Sequence, residues 1–162
     1  MLLIVCGLPG AGKTVVAKKI AKKIGAVLLR TDVIRKKIIK KPTYSKEEKL
    51  RVYDNMFSVA RKLLQNREAV ILDATFAEKS NRQQAKKIAK ETGLEFEIIE
   101  VKCSSEKIIK ERLQKRFKDE SDAKYEHYLK YKKIFEPITE KHIIIDNFDK
   151  LGKIDNQINN FF

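Results

Sequence analysis

The stretch Gly7-Leu-Pro-Gly-Ala-Gly-Lys13-Thr14 fits G-x-x-x-x-G-K-[ST], the pattern of a phosphate-binding loop. An unbroken apolar run, Leu2–Cys6, precedes it and predicts a strand that is buried on both faces. The run Lys13–Ile24 follows it, and its apolar residues recur at every fourth position, which predicts a helix. Strand, glycine-rich turn and helix are the context that this loop requires, so we interpret the match as functional.

The residue types of this loop each have a chemical reason. Glycine lets backbone N–H groups turn toward an anion, and the helix N-terminus adds a partial positive charge beneath it. The Lys13 ammonium can reach the β and γ oxygens of a nucleoside triphosphate, and the Thr14 hydroxyl can bind Mg²⁺. The sequence therefore predicts ATP and Mg²⁺ as cofactors. The predicted nucleotide site comprises Gly7, Leu8, Pro9, Gly10, Ala11, Gly12, Lys13 and Thr14.

Length and charge limit the function classes. A chain of 162 residues is long enough for one domain with a proper core. The net charge of +14 permits a nucleic-acid partner, but a lysine-rich solvated surface explains it as well. We see neither a signal peptide nor an apolar run of transmembrane length, which favours a cytoplasmic protein without a membrane partner. No obligate protein partner is expected.

Strands and helices alternate along the chain. We predict five strands, at residues 2–6, 26–29, 69–73, 96–101 and 142–146. The intervening helices are predicted at 13–24, 31–39, 45–66, 79–92, 105–116, 125–135 and 149–162. This alternation is typical of a parallel sheet covered by helices on both faces, whose ligands lie at the carboxyl ends of the strands.

Acidic residues follow two of the predicted strands. Asp32 could accept the proton of an attacking hydroxyl, and Arg35 one turn later could hold a polar or anionic substrate. Asp73 ends an apolar strand as a Walker B acid does, and could hold Mg²⁺ directly or through water. The alternative is that each acid caps a helix or turn, and that Arg35 is a surface residue.

Three arginines are candidates for substrate or phosphoryl contacts. Arg82 could point back into the cleft from its helix, although a solvated arginine explains it nearly as well. Arg112 and Arg116 are four residues apart and share a helix face, where they repel each other unless an anion lies between them. An ordinary basic helix face is the alternative. A stripe of rings is predicted to pack in the core, with one or two near the cleft: Tyr125, Tyr128, Tyr131 and Phe135.

These residues together resemble the small P-loop kinases of the AAA_33 / zeta-toxin-like type, to which the kinase domain of polynucleotide kinase is related. The resemblance implies a three-layer α/β/α P-loop NTPase fold, with a five-stranded parallel sheet in the order 2-3-1-4-5 and a small helical lid at about residues 112–124. It is carried by Gly7–Thr14, Thr31-Asp32-x-x-Arg35, Val70–Phe76, Arg82, Arg112–Arg116 and Ser121–Ala123.

The resemblance also implies an activity. The γ-phosphoryl group of ATP would pass to a hydroxyl of a small molecule or of a 5′-hydroxyl nucleic acid. Asp32 would be the base, Arg35 a substrate contact, and Arg112 and Arg116 the lid arginines. Two alternatives stay open: a nucleoside monophosphate kinase of the adenylate type, whose Asp-Gly-Phe-Pro-Arg segment is here Asp73-Ala-Thr-Phe76, and a module that binds ATP or nucleic acid without catalysis.

Overall fold

The computed structural model describes residues 1–115, 124–148 and 152–162. Its strands form one sheet in the order β2-β3-β1-β4-β5, and every pairing is parallel. This confirms the predicted α/β fold and strand order, and it brings the carboxyl ends of the strands to one edge. The strands are β1 (Leu2–Cys6), β2 (Val27–Arg30), β3 (Val70–Asp73), β4 (Phe96–Lys102) and β5 (Ile143–Asp146).

Helices cover both faces of the sheet, which gives the three predicted layers. On one face, α3 and α4 pack against Leu2 and Ile4, and on the other α1 and α7 pack against Leu3 and Val5. The described helices are α1 (Lys13–Ile24), α2 (Thr31–Ile38), α3 (Lys46–Gln65), α4 (Lys79–Glu91), α5 (Glu106–Gln114), α6 (Tyr125–Ile134) and α7 (Gly152–Asn159).

Strand β1 is the centre of the core. All five of its side chains are fully buried, and alternate residues face the two helical layers. A strand covered on both sides has no need of polar residues, which explains the unbroken apolar run before the loop. The loop thereby follows a fully buried strand at the centre of the sheet.

The starts of two helices show how they are capped. Arg30 ends β2 and is the N-cap of α2, so the alternative reading of Asp32 as a cap of that helix is wrong. The helix predicted at residues 45–66 is α3, and the hydroxyl of its N-cap Ser45 accepts from the backbone N–H of Glu48.

Part of the predicted lid, at about residues 112–124, falls outside the described residues. Arg116 and the Ser121–Ala123 segment are there, and the predictions about them stay predictions. Within the described ranges, no helix is both long and apolar enough to cross a membrane.

Candidate active site

The phosphate-binding loop connects the end of β1 to the start of α1. All three of its glycines have positive φ angles, and at two of them the surroundings leave least room for a side chain. A Cβ atom on Gly7 (φ +138°) would lie 2.2 Å from the Val101 carbonyl oxygen, and one on Gly12 (φ +93°) would lie 1.9 Å from Asn147 Nδ2. The Val101 backbone beside Gly7 and the Asn147 side chain beside Gly12 leave no room for a Cβ atom, which explains why the loop needs glycine at both positions.

A cleft of about 180 Å³ opens on one side of this loop. Lys13 begins α1 on the cleft wall, and its Nζ atom donates a hydrogen bond to the Leu8 carbonyl oxygen at 3.1 Å. The loop contributes Pro9, Gly12, Lys13 and Thr14 to the cleft, whereas Gly7, Leu8 and Ala11 line a second cavity on its other side.

Thr14 and Asp73 meet at the floor of the cleft. The Thr14 hydroxyl donates to Asp73 Oδ2 at 2.6 Å, although the two residues are 59 positions apart. Arg30 joins them: its Nε atom lies 3.3 Å from the same carboxylate oxygen, and the guanidinium is buried. Arg30 was not among the residues predicted from sequence. It ends β2 in register with Asp73 at the end of β3, and the sequence did not show that these two strands are neighbours.

The donor set at this point fits Mg²⁺ rather than a metal held entirely by protein. Mg²⁺ usually binds one or two protein oxygens and fills its other positions with phosphate oxygens and water. Thr14 and Asp73 offer one hydroxyl and one carboxylate beside the loop. In the part of the chain that the structure describes, no group of three or more metal-ligating side chains is found. A metal here would therefore depend on the nucleotide.

Asp32 lies in the first turn of α2 and lines the same cleft as Lys13, Thr14 and Asp73. Burial is the main cause that raises the pKa of Asp32 above its ordinary value; Lys13 opposes this effect and Asp73 adds to it. A carboxylate with a raised pKa is a better proton acceptor than an ordinary one. The geometry thus brings the predicted base and the predicted nucleotide residues into one cavity.

Glu48 organises the wall of the cleft opposite the loop. Its carboxylate is buried at 5% exposure and accepts hydrogen bonds from Arg35 Nε at 2.8 Å, Thr43 N at 2.6 Å and Tyr44 N at 3.1 Å. Burial alone raises the pKa of Glu48, but these hydrogen bonds outweigh it and leave the pKa below its usual value. We call Arg35, Thr43, Tyr44 and Glu48 the acceptor wall.

Tyr44 in the acceptor wall has a left-handed backbone, with φ +57°. This conformation costs a residue other than glycine about 1–3 kcal/mol, so the contacts around it must hold it there. Its ring is 48% exposed, lies 5.0 Å from the Arg35 guanidinium carbon and is 6.3 Å from the ring of His127. The wall therefore presents an aromatic ring at the mouth of the cleft.

Helix α6 closes the side of the cleft between loop and wall. The predicted ring stripe is confirmed only in part, since Tyr128 is buried in a small cluster with Ile109 whereas Tyr125, Tyr131 and Phe135 are half-buried. Tyr131 lines the cleft. His127 and Lys130 line it as well. This side of the cleft is thus both aromatic and basic.

Arg112 leaves α5 toward the outer side of the loop. Its Nη2 atom donates to the Asn147 carbonyl oxygen at 2.8 Å, and its Nη1 atom lies 3.4 Å from the carbonyl oxygens of Gly10 and Ala11. Asn147, directly after β5, donates to Ala11 O at 2.9 Å. Asn147 is a second residue that the sequence did not reveal, because no local pattern marks it.

Arg82 corrects one prediction. It is 1% exposed and does not line the cleft, so the expected substrate contact is wrong. Its guanidinium donates to four carbonyl oxygens, those of Phe76, Ala77, Glu136 and Pro137, at 2.7–3.2 Å. A buried charge needs acceptors for its N–H groups. Because two of these acceptors follow β3 and two follow α6, Arg82 joins the two segments.

Comparison with known proteins gives a match to the AAA_33 family model, described as an AAA domain, over residues 2–138. An uncharacterised protein of Mycobacterium bovis is 30% identical over 135 residues, which are 75% of this chain and 27% of that relative. The chain therefore spans about a quarter of the length of this relative.

Two further comparisons cover both partners more completely. A protein of Aeropyrum pernix, named a probable adenylyl-sulfate kinase, is 27% identical over 145 residues, 86% of this chain and 79% of the relative. The solved structure of the APS kinase of Mycobacterium tuberculosis, in complex with AMPPNP and APS, superposes with a TM-score of 0.72 at 17% identity, over 98% of this chain and 93% of the other. At this level of sequence identity, the superposition shows that the two chains share a fold.

Proposed function

Because this chain belongs to the AAA_33 family, we propose that it is an ATP-dependent kinase that transfers the γ-phosphoryl group of ATP to a hydroxyl of its acceptor. Its fold is that of a kinase-like P-loop NTPase. One observation carries the proposal: Asp32 shares a cleft with Lys13, Thr14 and Asp73. A carboxylate beside a phosphate loop, with its pKa raised mainly by burial, supports a proton acceptor at that position.

Each residue has a role in this reaction. The loop N–H groups and Lys13 bind the β and γ phosphates, and Thr14 and Asp73 hold Mg²⁺, which supplies positive charge to the phosphate oxygens. Asp32 orients the acceptor hydroxyl and takes its proton. The acceptor oxygen forms a bond to the γ-phosphorus as the bond to the β,γ-bridging oxygen breaks, and ADP leaves.

Arg112 is proposed to act from the other side of the loop. Its contacts to the carbonyl oxygens of Gly10 and Ala11 keep a positive charge next to the bound phosphates. Arg116, which lies outside the described residues, keeps the role that the family resemblance gave it. Arg35 is the proposed acceptor contact, and the acceptor is a small molecule or the 5′-hydroxyl end of a nucleic acid.

The test is phosphoryl transfer from γ-labelled ATP to a panel of nucleosides, nucleotides, sugars and 5′-hydroxyl oligonucleotides. We expect Asp32→Asn to bind ATP normally and to lower the transfer rate by about 10²–10⁴-fold. Asp54→Asn, an exposed carboxylate on α3, is the matched control. Transfer by Asp32→Asn at the wild-type rate would contradict the role of Asp32 as the base. Transfer to a phosphate oxygen instead of a hydroxyl would show that the protein is a nucleoside monophosphate kinase.

A further inference from the structure

Arg30 is a buried cation beside the two proposed metal ligands. It ends β2 in register with Asp73 at the end of β3, and both side chains are buried. Its Nε atom lies 3.3 Å from Asp73 Oδ2, and its Nη2 atom lies 3.5 Å from the Thr14 hydroxyl oxygen. The Thr14 hydroxyl donates to the same carboxylate oxygen, so Asp73 Oδ2 has a guanidinium and a hydroxyl around it at once.

The burial of Asp73 explains why it needs a partner. Removing a carboxylate from water is costly unless a cation and hydrogen-bond donors compensate its charge. A carboxylate that binds Mg²⁺ receives this compensation from the metal ion, and an arginine beside it then repels that ion. Asp73 has the position of a metal-binding carboxylate and nevertheless has a buried arginine of its own.

This arginine changes the charge that a metal ion meets in the cleft. Among the described residues that line the cleft, the carboxylates are outnumbered by the cations: Asp32 and Asp73 against Lys13, Arg35, Lys49 and Lys130. Arg30 does not line the cleft, but it neutralises Asp73 from within the protein. A divalent cation by itself therefore meets no net negative charge, and it is attracted when a triphosphate adds negative charge of its own.

We propose that Arg30 supplies the positive charge beside Asp73 before the nucleotide binds, so that Mg²⁺ binds only together with the triphosphate; this proposal rests on the kinase function proposed above. Arg30 keeps the carboxylate neutralised and in place when no metal ion is bound. The negative charge of the triphosphate then outweighs the repulsion between the guanidinium and Mg²⁺. Because Arg30 does not line the cleft, it acts through Asp73 and is a positioning residue.

The first test measures metal binding by the protein with and without AMPPNP. Mn²⁺ prefers the same oxygen ligands as Mg²⁺ and is followed by electron paramagnetic resonance. Without nucleotide, we expect Arg30→Gln to bind Mn²⁺ about tenfold or more tightly than wild type does, because the charge that repels the metal is gone. Arg51→Gln removes an equal charge from an exposed part of α3 and should bind Mn²⁺ as wild type does. Equal Mn²⁺ binding by wild type and Arg30→Gln would overturn the proposal.

The second test separates this role from a merely structural one. Arg30→Gln leaves Asp73 buried without its cation, so its melting temperature in EDTA should be lower than that of wild type. Mg²⁺ at about five times its dissociation constant, without nucleotide, should raise that melting temperature by about 2–4 °C and leave wild type unchanged. Arg82→Gln is the matched control, because Arg82 is also buried and does not line the cleft. It should lose stability that Mg²⁺ does not restore.

Two further variants locate the effect at Asp73 and assign it to charge. Arg30→Lys keeps the charge, so its Mn²⁺ binding without nucleotide should stay as weak as that of wild type. The double variant Arg30→Gln/Asp73→Asn should lose the tight Mn²⁺ binding of Arg30→Gln. Tight binding by either variant would overturn the proposal. If Arg30→Gln folds only in buffer that contains Mg²⁺, the proposal is supported, and if Mg²⁺ restores neither its folding nor its stability, the proposal is overturned.

These measurements require no phosphoryl transfer, so the two proposals can fail separately. If the protein transfers phosphate to no acceptor but binds metal as expected, the kinase function is overturned and the role of Arg30 stands. If wild type transfers phosphate and also binds Mn²⁺ without nucleotide as tightly as Arg30→Gln does, the kinase function stands and the role of Arg30 is overturned.

Discussion

The phosphate loop and the acceptor wall face each other across one cleft and are built by opposite means. The loop is eight consecutive residues, and it is anchored to a fully buried strand. The wall combines side chains from α2, from the segment before α3 and from α3 itself, and a single buried carboxylate holds them. The loop is fixed by the fold and the wall by Glu48.

This difference suits two kinds of binding site: one for the phosphate donor, which the members of a kinase family share, and one for the acceptor, which each member selects. The triphosphate group of ATP is the same in every kinase that uses ATP, so a loop specified by a short sequence pattern can bind it. An acceptor differs from enzyme to enzyme, and a wall made of side chains can change without disturbing the sheet. Substitutions on the two sides should therefore affect different substrates.

The largest effect is expected on the loop side, from Lys13→Ala. Without the Lys13 ammonium, the negative charge of the transferred phosphoryl group loses one of the cations that stabilise it. Turnover should therefore fall about 10³-fold. Steady-state kinetics measures this, with Lys18→Ala, an exposed lysine on α1, as control. Activity of Lys13→Ala within tenfold of wild type would show that the loop does not hold the reacting phosphates.

Gly12→Ala should weaken nucleotide binding while leaving the wall intact. The new Cβ atom would meet Asn147 Nδ2 at 1.9 Å in a left-handed backbone, so the loop must shift, at a cost of about 1–3 kcal/mol. We expect the ATP affinity to fall with little change in acceptor KM. Gly93→Ala is the control, since Gly93 has φ +66° and open space around it. If ATP affinity falls equally in Gly12→Ala and Gly93→Ala, backbone strain alone explains the effect.

Glu48→Gln tests the other side of the cleft. Glutamine keeps the size but loses the charge that Arg35, Thr43 and Tyr44 share, so the free energy of unfolding should fall by about 1–3 kcal/mol. Acceptor KM should rise while ATP affinity stays at the wild-type value. Denaturant unfolding and the two binding measurements check this. A parallel fall in ATP affinity would mean that loop and wall are not independent.

The smallest effects concern pH, and the two carboxylates should differ in sign. The folded pKa of Glu48 is lowered, so its stabilisation is present above the unfolded value, about 4.3, and is lost as pH falls through the folded value. The folded pKa of Asp32 is raised, so ionisation at neutral pH destabilises the fold. Glu48→Gln should therefore approach wild-type stability in acid, and Asp32→Asn should be more stable than wild type at pH 7. Melting curves recorded from acid to neutral pH measure the stability of both variants. If the two variants respond equally to pH, the opposite pKa shifts of Glu48 and Asp32 are contradicted.

The sequence predicted the elements of the site but not all of the contacts between them. Local spacing and strand alternation predicted the loop and the parallel sheet, and the family resemblance supplied the strand order. Thr14 and Asp73, each proposed as a Mg²⁺ ligand, lie together in the structure. Arg30 acquires its role only when β2 lies in register with β3, and Asn147 reaches a loop residue 136 positions away. Such contacts depend on which strands become neighbours, which periodicity does not show.

The failed prediction for Arg82 has the same origin, because its acceptors come from two segments that are distant in the sequence. Its four hydrogen bonds fasten the segment after α6 to the segment after β3, so the carboxyl end of α6 is tied to the sheet. Tyr131 and Lys130 of that helix line the cleft, whereas Arg82 does not. Arg82 thus supports one side of the cleft from below, without touching what the cleft holds.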